Sequence, residues 1–174
     1  MFQNISDFND TSDYLPIFNA SLIADIVIIF MLYYTNIFGD PKKLKLWYEK
    51  YRLSAVIADV FILIIGMILG RFFYYKVFEE YSFTKFVFLI LAIQIIHDYL
   101  FYKFFLAVPR GTNNMLDLFK DYAIEVKAGA ILGDSFMMVL TILLSSYFKG
   151  VGYNNNIIIL VLAFYLLPYI LYIK

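Results

Sequence analysis

Five apolar stretches, each about twenty residues long, leave this chain few architectures to choose from. A helix rising about 1.5 Å per residue crosses a ~30 Å hydrocarbon core in about 20 residues. The stretches fall at about 19–38, 53–75, 84–107, 128–148 and 156–173. Only 16% of residues are charged while 63% are hydrophobic, against roughly 25% charged in a soluble domain. The expected fold is therefore all-α, an integral membrane helical bundle of about five transmembrane helices plus one amphipathic interfacial helix. A chain of 174 residues leaves room for one transmembrane domain, residues 19–174, behind a polar tail at 1–18. Pro168 falls near the end of the fifth stretch, where a membrane helix tolerates it.

Several function classes drop out on composition. Without cysteine there are no disulfides, thiolate metal sites or cysteine nucleophiles. A formal net charge of zero with no large basic patch argues against nucleic acid as a partner. There is no HExxH, no GxSxG, no glycine-rich phosphate loop, no histidine pair and no TVGYG filter. The expectation is a protein that is not an enzyme, with no catalytic residues, metal or cofactor, and with the lipid bilayer as its surroundings.

Orientation follows from the basic residues in the connections. Lys42, Lys43, Lys45, Lys50 and Arg52 lie in the loop 39–52. Lys103, Arg110, Lys120 and Lys127 lie between the third and fourth stretches, and Lys174 ends the chain. These ten stand against four on the other side, Arg71, Lys76, Lys85 and Lys149. The N-terminus is expected outside and the C-terminus in the cytosol. The tail carries Asp7, Asp10 and Asp13 but no Lys or Arg, and has no basic segment of a signal peptide. Its N-x-S/T sequons at Asn4 and Asn9, with a third at Asn19 too close to the membrane for modification, fit an exposed extracytosolic segment.

The one long connection contains a turn at Pro109–Thr112, with Thr112 or Asn113 as helix cap. From about 113 to 127, Met115, Phe119, Tyr122, Ala123 and Val126 follow a 3.6-residue period, while Asp117, Asp121 and Glu125 form an acidic stripe. This reads as an amphipathic helix on the cytosolic surface. Its stripe is either a solvated face or a surface for a partner.

Ionisable residues inside the apolar stretches are the candidate functional site, because they are costly there. Three stretches share a small–apolar–apolar–small–Asp pattern: Ser21 to Asp25, Ala55 to Asp59 and Ala130 to Asp134. The third stretch carries Asp98 behind the only histidine, His97, with Gln94 on the same face. Counted from the cytosolic ends, Asp59 and Asp134 lie about 9 Å deep and Asp98 about 14 Å deep. Asp25 is expected toward the outer face, apart from them. Thr141 extends the face of Asp134, and Gly66/Gly70 and Gly129/Gly133 form two GxxxG pairs that permit close helix approach. Asp59, His97, Asp98, Asp134, Gln94 and Thr141 could serve interhelical hydrogen bonding, proton or cation passage, or catalysis, in that order of expectation.

The run from His97-Asp98 through Phe101-Tyr102, Pro109, Gly111, Asn113, Asp117, Phe119-Lys120, Tyr122 and Glu125 to Asp134-Ser135 and Met137-Met138 carries a family likeness. Over roughly residues 90–140 it resembles uncharacterised multi-spanning membrane proteins encoded by large nucleocytoplasmic DNA viruses. The resemblance implies a virion or host membrane as location, and further copies or other membrane and capsid proteins as partners. It implies no activity. The expected function is thus a non-enzymatic multi-pass protein, a structural or assembly component of a viral or virus-modified membrane. The alternative is a small proton- or cation-conducting channel or transporter that uses the intramembrane aspartates.

Overall fold

The computed structural model describes residues 2–35, 37 and 40–172. Asn36, Phe38 and Ile173, at the ends of expected stretches, lie outside the described residues, as do Gly39 and Lys174. After a short 3-10 turn at Thr11–Asp13 come α1 (Tyr14–Tyr34), α2 (Lys42–Tyr51) and α3 (Leu53–Val77). They are followed by α4 (Phe83–Ala107), α5 (Asn114–Val126), α6 (Gly129–Lys149) and α7 (Tyr153–Leu171). Among the described residues there is no strand. Helices α1, α3, α4, α6 and α7 are long and apolar enough to cross a bilayer, and the chain is an all-α, multi-pass membrane protein.

The boundaries differ where capping and amphipathicity act. Helix α1 begins at Tyr14 rather than near 19, because the Asp10 side chain accepts from the Ser12 backbone N–H and starts the preceding turn. Asn113 accepts from the N–H groups of Met115 and Leu116 at 2.9 and 3.1 Å and starts α5. The basic segment read as a loop is a helix, α2. Leu44, Trp47, Tyr48 and Tyr51 fall at i, i+3, i+4 and i+7 and form one apolar stripe. Ten residues interrupted by lysine hide that period from a search for long apolar runs.

Helix α1 is the hub. It packs against α3, α6 and α7, while α4 closes the far side against α3 and α6. The most apolar part of α1 is 61% buried, whereas that of α4 is 17% buried and faces outward. Asn19 on α1 donates its side-chain amide to the carbonyl and side-chain oxygen of Asn156 on α7, at 2.8 and 3.0 Å. Both residues lie near the start of their helices, so α1 and α7 run parallel.

The two amphipathic helices, α2 and α5, meet at one end of the bundle. There the acidic stripe of α5 is matched within the chain: Glu125 accepts from the Lys43 backbone N–H at 2.8 Å, and Asp121 pairs with Arg110 at 2.9 Å. The Arg110 hydrogen bond holds the Asp121 carboxyl below its usual range.

At the other end, the segment expected to be an exposed tail folds across the helix termini. Ile5 and Ser6 are fully buried, and Phe2 stacks on Phe83 with ring centroids 4.5 Å apart. Arg71, itself buried, donates to the carbonyls of Asp7 and Asp10 and pairs with Asp13 at 3.2 Å. Lys149 pairs with Asp10 at 2.8 Å and Asp13 at 2.7 Å. The tail's acids are thus matched to the cations that end α3 and α6, which is why a polar segment packs here.

Candidate carboxyl site under the amphipathic helices

Trp47 and Tyr48 project from the apolar stripe of α2 onto two aspartates of different spans. The Tyr48 hydroxyl donates to Asp25 Oδ1 at 2.7 Å, and the Trp47 indole N–H donates to Asp59 Oδ2 at 2.9 Å. Burial, and then the charges of Asp25 and Asp59, push the Tyr48 hydroxyl well above its usual pKa. Asp25 is fully buried, and its Oδ2 has no hydrogen-bond partner. The expectation that Asp25 lies toward the outer face, apart from the other aspartates, is corrected. With α1 starting at Tyr14, Asp25 falls past the helix midpoint, at the level reached by α2, and shares Tyr48 with Asp59.

Asp98 and Asp134 lie under α5. The Gln94 side-chain amide donates to Asp98, and the Ser135 hydroxyl reaches Gln94 Oε1 at 3.4 Å, linking α4 to α6. Tyr122, on α5, has its hydroxyl pushed above its usual pKa by burial and then by Asp134, Asp59, Glu125 and Asp98. Asp134 is within electrostatic reach of both Asp98 and Asp59. The four aspartates therefore neighbour one another in a row, Asp25 and Asp59 at one side, Asp134 and Asp98 at the other. His97 sits at the edge, with its ring 3.4 Å from Asp98 and stacked on Phe101. Thr141, two turns along α6 from Asp134, is fully buried with its hydroxyl oxygen unpartnered.

The glycines divide. A Cβ on Gly70 would collide with the Ile90 side chain, and one on Gly66 would come within 2.6 Å of the Met138 methyl. These are close helix crossings, α3 on α4 and α3 on α6. Gly133 has nothing within 4 Å of such a Cβ, and Gly129 only Val126 at 3.9 Å. The second GxxxG pair, expected to pack helices, makes no close helix crossing.

Trp47, Tyr48 and Tyr122 were missed as site residues in the sequence. The stripe of α2 was the available signal for the first two. Among the described residues no three His, Asp or Glu side chains are grouped to hold a metal ion. The arrangement offers proton exchange between carboxyl, phenol and carboxyl, or plain hydrogen-bonded packing. No family model matches the chain, and neither a known protein nor a solved structure proves similar to it.

Proposed function

We propose that the protein exchanges protons, or a monovalent cation in their place, through the aspartates under α2 and α5. One observation carries this reading: Asp25 is wholly buried, yet only one of its oxygens has a donor. A carboxyl kept for packing alone normally has its buried oxygens satisfied. An unpartnered oxygen beside a second carboxyl and a phenol is where a proton or small cation gains most. Supporting the orientation proposed with it, Arg71 and Lys149 at the tail end are tied up by Asp10 and Asp13, while the α2–α5 end carries most Lys and Arg. That favours the tail outside and the α2–α5 end in the cytosol.

A second reading has its own support. Asn19–Asn156, Ser135–Gln94 and the Gly70–Ile90 crossing all join one helix to another. They suit a non-enzymatic structural or assembly component, and the viral resemblance supplies a membrane in which copies of the chain or capsid proteins would be its partners.

Flux of protons and monovalent cations into proteoliposomes separates the two. Asp25→Asn and Asp134→Asn are isosteric, and an amide oxygen still accepts from Tyr48. Flux in the wild type that disappears in these variants is the expected result. No flux above empty liposomes, from protein with intact helix content, overturns proton exchange and leaves the structural role.

A further inference from the structure

The row of four aspartates is related end to end by the chain's own architecture. Helices α1, α2 and α3 are a span, an amphipathic helix and a returning span; α4, α5 and α6 repeat that order in the same direction. Each amphipathic helix is followed by a basic residue in the same backbone conformation: Arg52 has φ 49° and ψ −121°, Lys127 φ 51° and ψ −126°. Asp59 follows Arg52 by seven residues, and Asp134 follows Lys127 by seven. Trp47 precedes Asp59 by twelve residues, and Tyr122 precedes Asp134 by twelve. Asp25 and Asp98 each stand nine residues before the end of their helix.

Burial keeps the same register. At a spacing of 73 residues, buried Ile90, Gln94 and Phe105 on α4 correspond to buried Ile17, Ser21 and Leu32 on α1. At a spacing of 75, buried Thr141, Ile142 and Ser145 on α6 correspond to buried Gly66, Met67 and Gly70 on α3. The packing obeys a two-fold relation too. Helix α1 meets α3 and α6 as α4 meets α6 and α3, while α2 touches α5 and α3 touches α6 across the axis. Only α7, against α1, has no counterpart among the described residues. Two copies running in the same direction place the axis along the membrane normal, as in parallel-repeat membrane proteins.

We infer that residues 14–77 and 87–149 are two copies of one three-helix unit, so that the molecule carries two equivalent proton-binding carboxyl sites. The first is Asp25 and Asp59 under Trp47 and Tyr48. The second is Asp98 and Asp134 under Tyr122, with the unpartnered Thr141 hydroxyl two turns along α6. Equivalence is not identity: Asp25, held by Tyr48, is completely buried, whereas the Asp98 side chain is 19% exposed. The inference rests on the proton-exchange reading only for what the carboxyls do.

Infrared absorption of the full chain in lipid tests it, since a carboxyl that holds a proton absorbs apart from a carboxylate. The double variants Asp25→Asn/Asp59→Asn and Asp98→Asn/Asp134→Asn are each expected to remove about half of the protonated-carboxyl band at neutral pH. A band carried wholly by one pair, or by neither, overturns the equivalence. Should a double variant fail to fold, Trp47→Phe and Gln94→Leu serve instead. The first removes the donor to Asp59 and the second the donor to Asp98, and each is expected to shift a separate part of the band; a shift from only one of them has the same overturning force. The readout is independent of transport. Two sites without flux would end the transport reading alone, and flux with one site would end the equivalence alone.

Discussion

Tyr48 and Asp25 meet across 2.7 Å, although one lies on an amphipathic helix and the other inside a membrane span. The contact ties α2, which also packs on α3 and α5, to the hub helix α1. It also leaves Asp25, fully buried, with a single hydrogen-bond partner. Removing either member alone therefore leaves an unsatisfied buried group, while removing both does not.

Tyr48→Phe is accordingly expected to destabilise the protein by about 1–3 kcal/mol, the desolvation cost of an orphaned polar group. The double variant Tyr48→Phe/Asp25→Leu should recover most of that loss. Unfolding of the detergent-solubilised protein on titration with SDS measures both. A double variant as unstable as the sum of its singles would show that the pair is not coupled.

The glycine crossings should differ in cost. Ile90 is β-branched, fully buried and stiff, so Gly70→Ala forces backbone or rotamer movement worth about 1–3 kcal/mol. Met138 is unbranched and can swing its methyl away, so Gly66→Ala should cost less. Gly133→Ala meets open space and should be neutral or stabilising by up to about 1 kcal/mol through helix propensity. The order Gly70, Gly66, Gly133 in the same unfolding assay is the check.

The two junction residues should also part company. Both hold a positive φ that costs a non-glycine residue about 1 kcal/mol or more. Lys127→Gly relieves this and should be neutral or stabilising. Arg52 in addition donates to the Leu171 carbonyl and lies 4.7 Å from the Tyr172 ring, so it tethers the end of α7. Arg52→Gly should lower stability, and hydrogen exchange should locate the loosening in α7.

Acid should release the tail. The hydrogen bond from Lys149 lowers the Asp10 carboxyl from 3.8 to about 2. A group depressed on folding contributes stability above its unfolded value and loses it as pH falls through the folded value. Asp10 therefore holds the tail fully above about pH 4, and its contribution fades between 3.8 and about 2. Hydrogen exchange at residues 5–10 should rise in that window. In Asp10→Asn it should start higher and change less with pH.

The sequence alone determined the class and most of the elements, because membrane spans are written as uninterrupted apolar length and need no partner to be recognised. It also marked Asp59, Asp98 and Asp134, since a carboxylate stands out in an apolar run. What it lacked was any measure of which faces meet. The ten-residue stripe of α2 is too short to register as a span, so the sequence does not mark Trp47 and Tyr48 as partners of the aspartates and puts Asp25 at the wrong depth. The tail's folding over Arg71 and Lys149 depends on ends of helices that are far apart in the chain. The two-fold relation is likewise carried by burial register and helix contacts rather than by matching residues, as Gly66 with Thr141 or Ser21 with Gln94 illustrates. Packing conserves position and size of contact, not letters, and only the tertiary structure brings those positions together.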